Sequence, residues 1–196
     1  MPATAPSPFD GAELRRALRP LITGVTVVTT VDAGGAPRGL TATSFTSVSL
    51  DPALILVCIA RSAGSFPAFA ESRVFAVNIL SESQVDVSRR FASRLADKFA
   101  GVDYRHGVSG APIIAGSLAW LDCRRYDLIE AGDHIILIGE VLALGHRDAK
   151  PLGYCQGDYV LLDNLKTASP PECRAHARGA AAPSLANDTH NGGCDR

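Results

Sequence analysis

The chain has 196 residues, 46% of them hydrophobic, and its 19 basic and 20 acidic side chains leave a net charge of −1. That length suits one domain with a substantial core. The apolar share excludes general disorder, and the balanced charge leaves no field for gripping nucleic acid or an anionic membrane.

The first residues, 1–8, hold three prolines and no apolar periodicity, so a disordered tail is expected there. They have neither the basic nor the apolar region of a signal peptide. A helix is predicted over 10–19, capped by Asp10 and stopped by Pro20. The β-branched run 25–31 is the clearest strand. A hairpin turn over 32–37 leads into one polar strand over 39–50, which Pro52 breaks. The continuous apolar run 53–59 reads as a strand covered on both faces. A short helix over 65–70 and a strand over 74–80 follow. Ser81 and Gln84 have capping-box spacing, and Val87, Phe91 and Leu95 mark one buried stripe on the helix they open. Two long strands, 118–129 and 134–144, flank a turn at 131–133, and a last strand surrounds Tyr159. From 167 to 196 Leu185 is the only large aliphatic residue, and a second disordered tail is expected. The folded domain is therefore placed at 9–166. Many strands, few helices and hairpin connections predict a mainly β fold, a closed antiparallel barrel with helical caps.

No run approaches the roughly 18 apolar residues of a membrane helix. Five scattered cysteines form no disulfide framework, which points to a reducing, cytoplasmic setting. There is no Rossmann fingerprint, P-loop, nucleophile elbow or zinc-protease motif. The most unusual segment is 39–49, where six of eleven residues are Ser or Thr. Hydroxyls on extended backbone suit a flat polar heterocycle such as a flavin ring. The same pattern also fits an exposed sheet face. Arg90, beside the buried position Phe91, could fork onto a phosphate or lie on a solvated helix face. His134, in Gly132-Asp133-His134, could face a pocket or simply complete a turn. In the tail, Cys173-x-x-His176 and His190-x-x-x-Cys194 carry zinc-type ligands. They lack the apolar residues of a zinc module, so no metal is expected.

Taken together and in order, four segments resemble the short-chain flavin reductases, the reductase components of two-component flavin-dependent monooxygenases. They are Thr23-Gly-Val-Thr-Val-Val-Thr-Thr30, the run 42–52 with Ala42-Thr-Ser-Phe-Thr46, Phe75-Ala-Val-Asn-Ile-Leu80, and Gly132-Asp-His134. Asp97-Lys-Phe-Ala-Gly101 and Gly116-Ser-Leu-Ala-Trp120 fit the same pattern. The resemblance implies an FMN-binding split β-barrel, antiparallel and Greek-key-like, working as a homodimer in the cytoplasm. It implies hydride transfer from NADH, or NADPH, to FAD, or FMN, and release of reduced flavin to a partner monooxygenase. Pro37, Arg38, Gly39, Leu40, Thr41, Thr43 and Ser44 would line the flavin ring and ribityl chain. Cys58, Ile59 and Ala60 would meet it through backbone. Gly64 and Ser65 would bind phosphate at a helix start, completed by Arg90 and Phe91. His134, the candidate catalytic residue, would border the nicotinamide with Gly157, Asp158 and Tyr159. Gly64 departs from relatives that carry a basic residue there, which shifts the phosphate grip toward Arg61 or Arg90. A non-catalytic flavin-binding electron-transfer barrel and an oxidase of the pyridoxamine-phosphate type remain the alternatives.

Overall fold

Asp10 accepts the Glu13 N–H at 2.6 Å through Oδ1 and so starts α1 (Gly11–Leu18), by satisfying one of the helix's open amides. The computed structural model describes residues 8–163. Twelve strands occur among them: β1 (Thr23–Gly24), β2 (Thr26–Val31), β3 (Pro37–Ala42), β4 (Thr46–Leu50), β5 (Ala53–Ala60), β6 (Val74–Ile79), β7 (Tyr104–His106), β8 (Pro112–Ile114), β9 (Ala119–Ala131), β10 (His134–His146), β11 (Leu152–Cys155) and β12 (Asp158–Leu161). Helices α2 (Phe66–Glu71) and α3 (Val85–Ala92) and a 3-10 turn at Glu82–Gln84, which carries the Ser81–Gln84 capping box, complete the set. Both expected tails, apart from Pro8, and both Cys/His pairs lie outside the described residues.

Seven strands form one sheet in the order β3-β2-β6-β9-β10-β5-β4, antiparallel at every step. Its two edge strands, β3 and β4, are neighbours in the chain, with only residues 43–45 between them. The sheet therefore curls until its edges meet. Side chains close the seam in place of a ladder. Ser44 Oγ donates to the Cys58 carbonyl at 2.9 Å and accepts the Cys58 N–H at 3.0 Å. Ser65 Oγ donates to the Gly39 carbonyl at 2.8 Å. The result is the split antiparallel barrel that the resemblance implied.

Inside the barrel Val28, Leu40, Val57, Ile59, Phe75 and Leu137 pack together. A second core, between barrel and α3, gathers Val25, Val27, Leu80, Phe91, Phe99 and Leu152. Residues 26–30 of β2 are buried throughout, so its threonine hydroxyls must find partners. Thr26 Oγ1 donates to the Ala42 carbonyl at 2.8 Å and Thr30 Oγ1 to that of Val74 at 2.6 Å.

Three readings of the sequence change. The single strand expected over 39–50 is two strands on opposite sheet edges. No Gly or Pro marks the break; the Ser44–Cys58 bonds hold it. The stripe ends at Phe91, because α3 stops at Ala92 and Leu95 is 52% exposed. Ser93 terminates the helix: its N–H and Oγ both donate to the Arg90 carbonyl, and a serine hydroxyl competes well for such a group. The short strands β1, β7, β8 and β11 carry too few residues for a readable period.

Candidate functional site

A cleft of about 680 Å³ opens beside the seam. Pro37, Arg38 and Gly39 of β3 form one wall, Ser62, Gly64 and Ser65 of the β5–α2 loop another, and Ser93, Arg94, Lys98 and Phe99 after α3 a third. Each wall is held by local chemistry. Asp32 Oδ1 accepts the N–H groups of Ala36 at 2.9 Å and Gly34 at 3.0 Å, and Oδ2 accepts Arg38 Nε at 2.8 Å. The Ala36 amide first, then Arg38, hold that carboxyl below the usual aspartate value. The turn and the Arg38 guanidinium are thus fixed together at the rim.

Gly39 is buried, and a Cβ there would lie 2.8 Å from Phe91 Cε1 and 3.1 Å from the Val28 carbonyl oxygen. Glycine is what lets β3 lie this close to α3. At Gly64 the reverse holds: a Cβ would meet nothing within 4 Å, so the loop backbone stands open. Lys98 Nζ donates to the Phe91 carbonyl at 2.8 Å and the Gly39 carbonyl at 3.4 Å. Burial pulls its ammonium below the ordinary lysine range.

Of the residues singled out in the sequence, Pro37, Arg38, Gly39, Gly64 and Ser65 line this cleft. Leu40 and Ile59 send their side chains into the barrel core, which leaves only their backbone for a ligand. The Thr41 hydroxyl donates to the Ser88 carbonyl at 2.6 Å, and that of Ser44 is committed to Cys58. Thr43 is exposed, while Cys58 and Ala60 are half-buried. The hydroxyl-rich segment thus spends two of its side chains on the fold. Phe91 is wholly buried under Gly39.

Arg90 does not line the cleft, and Arg61 pairs with Glu130 at 3.0 Å while its guanidinium lies 5.6 Å from the Phe66 ring centroid. The cleft's cations are Arg38, Arg94 and Lys98. Lys98 was legible as part of Asp97-Lys-Phe-Ala-Gly101. Arg94 carried no signal, since its place depends on α3 ending early. Ser65 caps α2 without a side-chain cap bond, and Pro67 removes an amide from the first turn. An anion here would therefore be held chiefly by the side-chain cations.

His134 opens β10 opposite Ala60. Its Nδ1 lies 2.7 Å from Asp133 Oδ1, and that contact lowers the Asp133 carboxyl below its usual value. Gly157, with φ of +93°, lies in the β11–β12 turn. Asp158 Oδ1 accepts the Tyr159 N–H at 2.8 Å, and Tyr159 Oη donates to Ser88 Oγ at 2.9 Å. His134 and Tyr159 belong to different sheets. Ser88 ties Tyr159 to Thr41 and His134 pairs with Ala60, but none of His134, Gly157, Asp158 and Tyr159 lines the cleft.

Residues 18–163 match the family described as "Flavin reductase like domain". The chain belongs to that family. A flavin reductase-like relative, the "Stachydrine N-demethylase reductase subunit Stc3" of Rhizobium meliloti (strain 1021), is 48% identical over 77% of this chain and 66% of its own. The "Flavin-dependent monooxygenase, reductase subunit HsaB" of Rhodococcus jostii (strain RHA1) is 38% identical over 86% of this chain and 87% of its own. Among solved structures, the NADH:FAD oxidoreductase SgcE6 of Streptomyces globisporus C-1027, in complex with NAD and FAD fragments, superposes with a TM-score of 0.76. It is 38% identical over 84% of this chain and 99% of that one. The chain spans 49%, 66% and 47% of the length of three of its curated relatives.

The residues present fit a flavin. The cleft has the size of small-molecule sites in general. Its open glycine backbone admits a phosphate chain, and three cations face the space where its charge would lie.

Proposed function

We propose that this chain is an NADH-dependent flavin reductase that takes FAD, or FMN, as a free substrate and hands the reduced flavin to a partner monooxygenase. The observation that carries this reading is the cleft at the barrel seam, with the half-buried Lys98 ammonium and Arg94 at one end and the β3 backbone leading away from it. When bound, the flavin supplies the chemistry by accepting hydride from the nicotinamide at N5.

The chain supplies position and surroundings. Lys98, Arg94 and Arg38 hold the phosphate. The backbone of Gly39, Leu40, Thr41, Thr43 and Ser44, with that of Ile59 and Ala60 across the seam, holds the ring, and Cys58 fixes the seam there through its two bonds to Ser44. Preorganised amides stabilise developing negative charge without reorganising. His134, oriented by Asp133, and the Gly157-Asp158-Tyr159 turn border the nicotinamide and hold it at reacting distance. Gly64 and Ser65 shape the phosphate end, and Arg90 with Phe91 supports it from α3.

The folded domain is 9–166, acting in the cytoplasm as a homodimer. In support of the dimer, α1 buries none of its residues, and Leu14, Leu18, Leu21 and Ile22 are 45–62% exposed on one stretch. Light scattering of the purified chain tests that part. No helix among the described residues is long and apolar enough to cross a membrane.

The deciding experiment follows NADH absorbance with and without added FAD, FMN or riboflavin. A reductase consumes NADH only when free flavin is present. NADH consumption at the no-protein level with all three flavins overturns the reading and leaves a binding module. Tight flavin retention, with oxygen consumed at the expense of an added amine substrate and not of NADH, identifies an oxidase instead.

A further inference from the structure

A separate cleft of about 390 Å³ lies where β7, β8 and the loop over 115–117 meet the start of β9 and the end of β10. It shares no residue with the flavin cleft, and its volume falls in the range of small-molecule sites. Ile113 and Ile114 of β8, both buried, and the half-buried Trp120 of β9 make its surface apolar on one side. Arg105, His146 and Arg147 line it against a single carboxylate, that of Asp103.

Both guanidinium groups are held in advance. Arg147 Nε donates to the Ser117 carbonyl at 3.1 Å, and Nη2 donates to the Gly116 carbonyl and to Ser81 Oγ. Its Nη1 keeps no hydrogen bond among the described residues. The Arg105 guanidinium lies 4.6 Å from the Trp120 ring centroid, a contact that steadies a flat cation. Ser117 supplies the observation that points to a ligand. It lines the cleft and is only 7% exposed, yet its buried Oγ has no hydrogen-bond partner among the described residues. Buried hydroxyls are nearly always partnered. This one needs to turn about a single bond to meet an acceptor that enters the cleft.

We propose that this cleft binds a small organic carboxylate. Arg105, Arg147 and the Ser117 hydroxyl take the anion, and Ile113, Ile114 and Trp120 cover its apolar body. A guanidinium matches a carboxylate through paired, charge-assisted hydrogen bonds. Inorganic phosphate would meet the cations but leave the apolar surface open to water. The site stands independently of the flavin reading, because the two clefts have no residue in common.

The test is calorimetry of the full chain with benzoate, with and without saturating FMN. Benzamide serves as the uncharged counterpart and inorganic phosphate as an anion with no apolar body. Benzoate should bind at about one equivalent per chain, about tenfold or more tightly than either, the scale of one charge-assisted contact. Its affinity should be the same with FMN present. Arg105→Ala should weaken benzoate about tenfold, and Ala115→Trp, which fills the cleft from an exposed position, should abolish binding. FMN affinity should be unchanged in both variants. Ser117→Ala should weaken benzoate severalfold without lowering the melting temperature of the ligand-free chain, because the hydroxyl it removes has no partner to lose. A lower melting temperature with unchanged benzoate affinity would make Ser117 structural and overturn the proposal. So would no benzoate binding, equal binding of benzamide, loss of benzoate once FMN is present, or affinity that survives both Arg105→Ala and Ala115→Trp.

Discussion

Gly39 lies against the ring of Phe91 with no room for a methyl group: a Cβ would stand 2.8 Å from Cε1. The ring cannot retreat, because Phe91 is wholly buried and wedged edge-on against Phe99. Nor can the chain shift the other way, with the Val28 carbonyl oxygen 3.1 Å away. Gly39→Ala should therefore cost about 1–3 kcal/mol of stability, as overpacking does. It should also push β3 into the cleft and weaken flavin binding. Thermal melting and flavin titration of the variant check both effects. An unchanged melting temperature would show that the contact can relax.

Lys98 and Arg94 should separate from Arg90. Both line the cleft and Arg90 does not. Lys98→Met or Arg94→Ala should weaken FMN by about tenfold to a hundredfold, the scale of a charge-assisted contact of about 1.5–3 kcal/mol. Riboflavin, which has no phosphate, should be affected far less. Arg90→Ala should have the smaller effect on FMN. Titrating both flavins into all three variants decides, and a dominant loss at Arg90 would return the phosphate role to that residue.

The phosphate-dependent part of binding should also fail early in alkali. Burial lowers the Lys98 ammonium from its ordinary value of 10.5. The protonated form binds phosphate, so the FMN-to-riboflavin affinity ratio should fall as pH rises through the depressed value, below 10.5. The linked effect on folding has the opposite sign. The unfolded chain holds the proton more tightly, so stability should rise with pH across that same window. In Lys98→Arg, whose guanidinium stays charged, the ratio should stay flat with pH. A ratio as pH-dependent in Lys98→Arg as in wild type would remove Lys98 from the phosphate site.

His134→Ala should raise KM for NADH or lower kcat while flavin affinity stays near wild type. Asp133→Asn should show a milder form of the same defect, because Asp133 acts only through the imidazole, which it holds at Nδ1. Steady-state kinetics at saturating flavin measure this. Wild-type NADH kinetics in His134→Ala would leave that histidine as a turn residue.

Asp32 should shape the acid limb of stability. Its folded carboxyl is held below the ordinary value of 3.8 by the Ala36 amide, Arg38 and the Gly34 amide. Its contribution is thus complete above 3.8 and is lost as pH falls through the lowered folded value. Asp32→Asn should flatten that limb in melts taken at falling pH. It should also loosen Arg38, visible as weaker FAD binding.

Much of this protein was written in local chemistry that needs no partner. Asp10 caps a helix whatever follows, the β-branched run at β2 extends, and the hairpins at 32–36 and 131–134 turn on Gly and Asp. The motif order carried the family and hence the barrel, and it placed Pro37, Arg38, Gly39, Gly64 and Ser65 in the cleft. What the tertiary structure alone decided are the matters that depend on residues far apart in the chain. Ser44 breaks a strand because Cys58 arrives to take its hydroxyl. Ser93 ends α3, and only that early end swings Arg94 and Lys98 into the cleft in place of Arg90. Hydrogen bonds of this kind form only when the barrel closes, so no periodicity or spacing in the sequence records them.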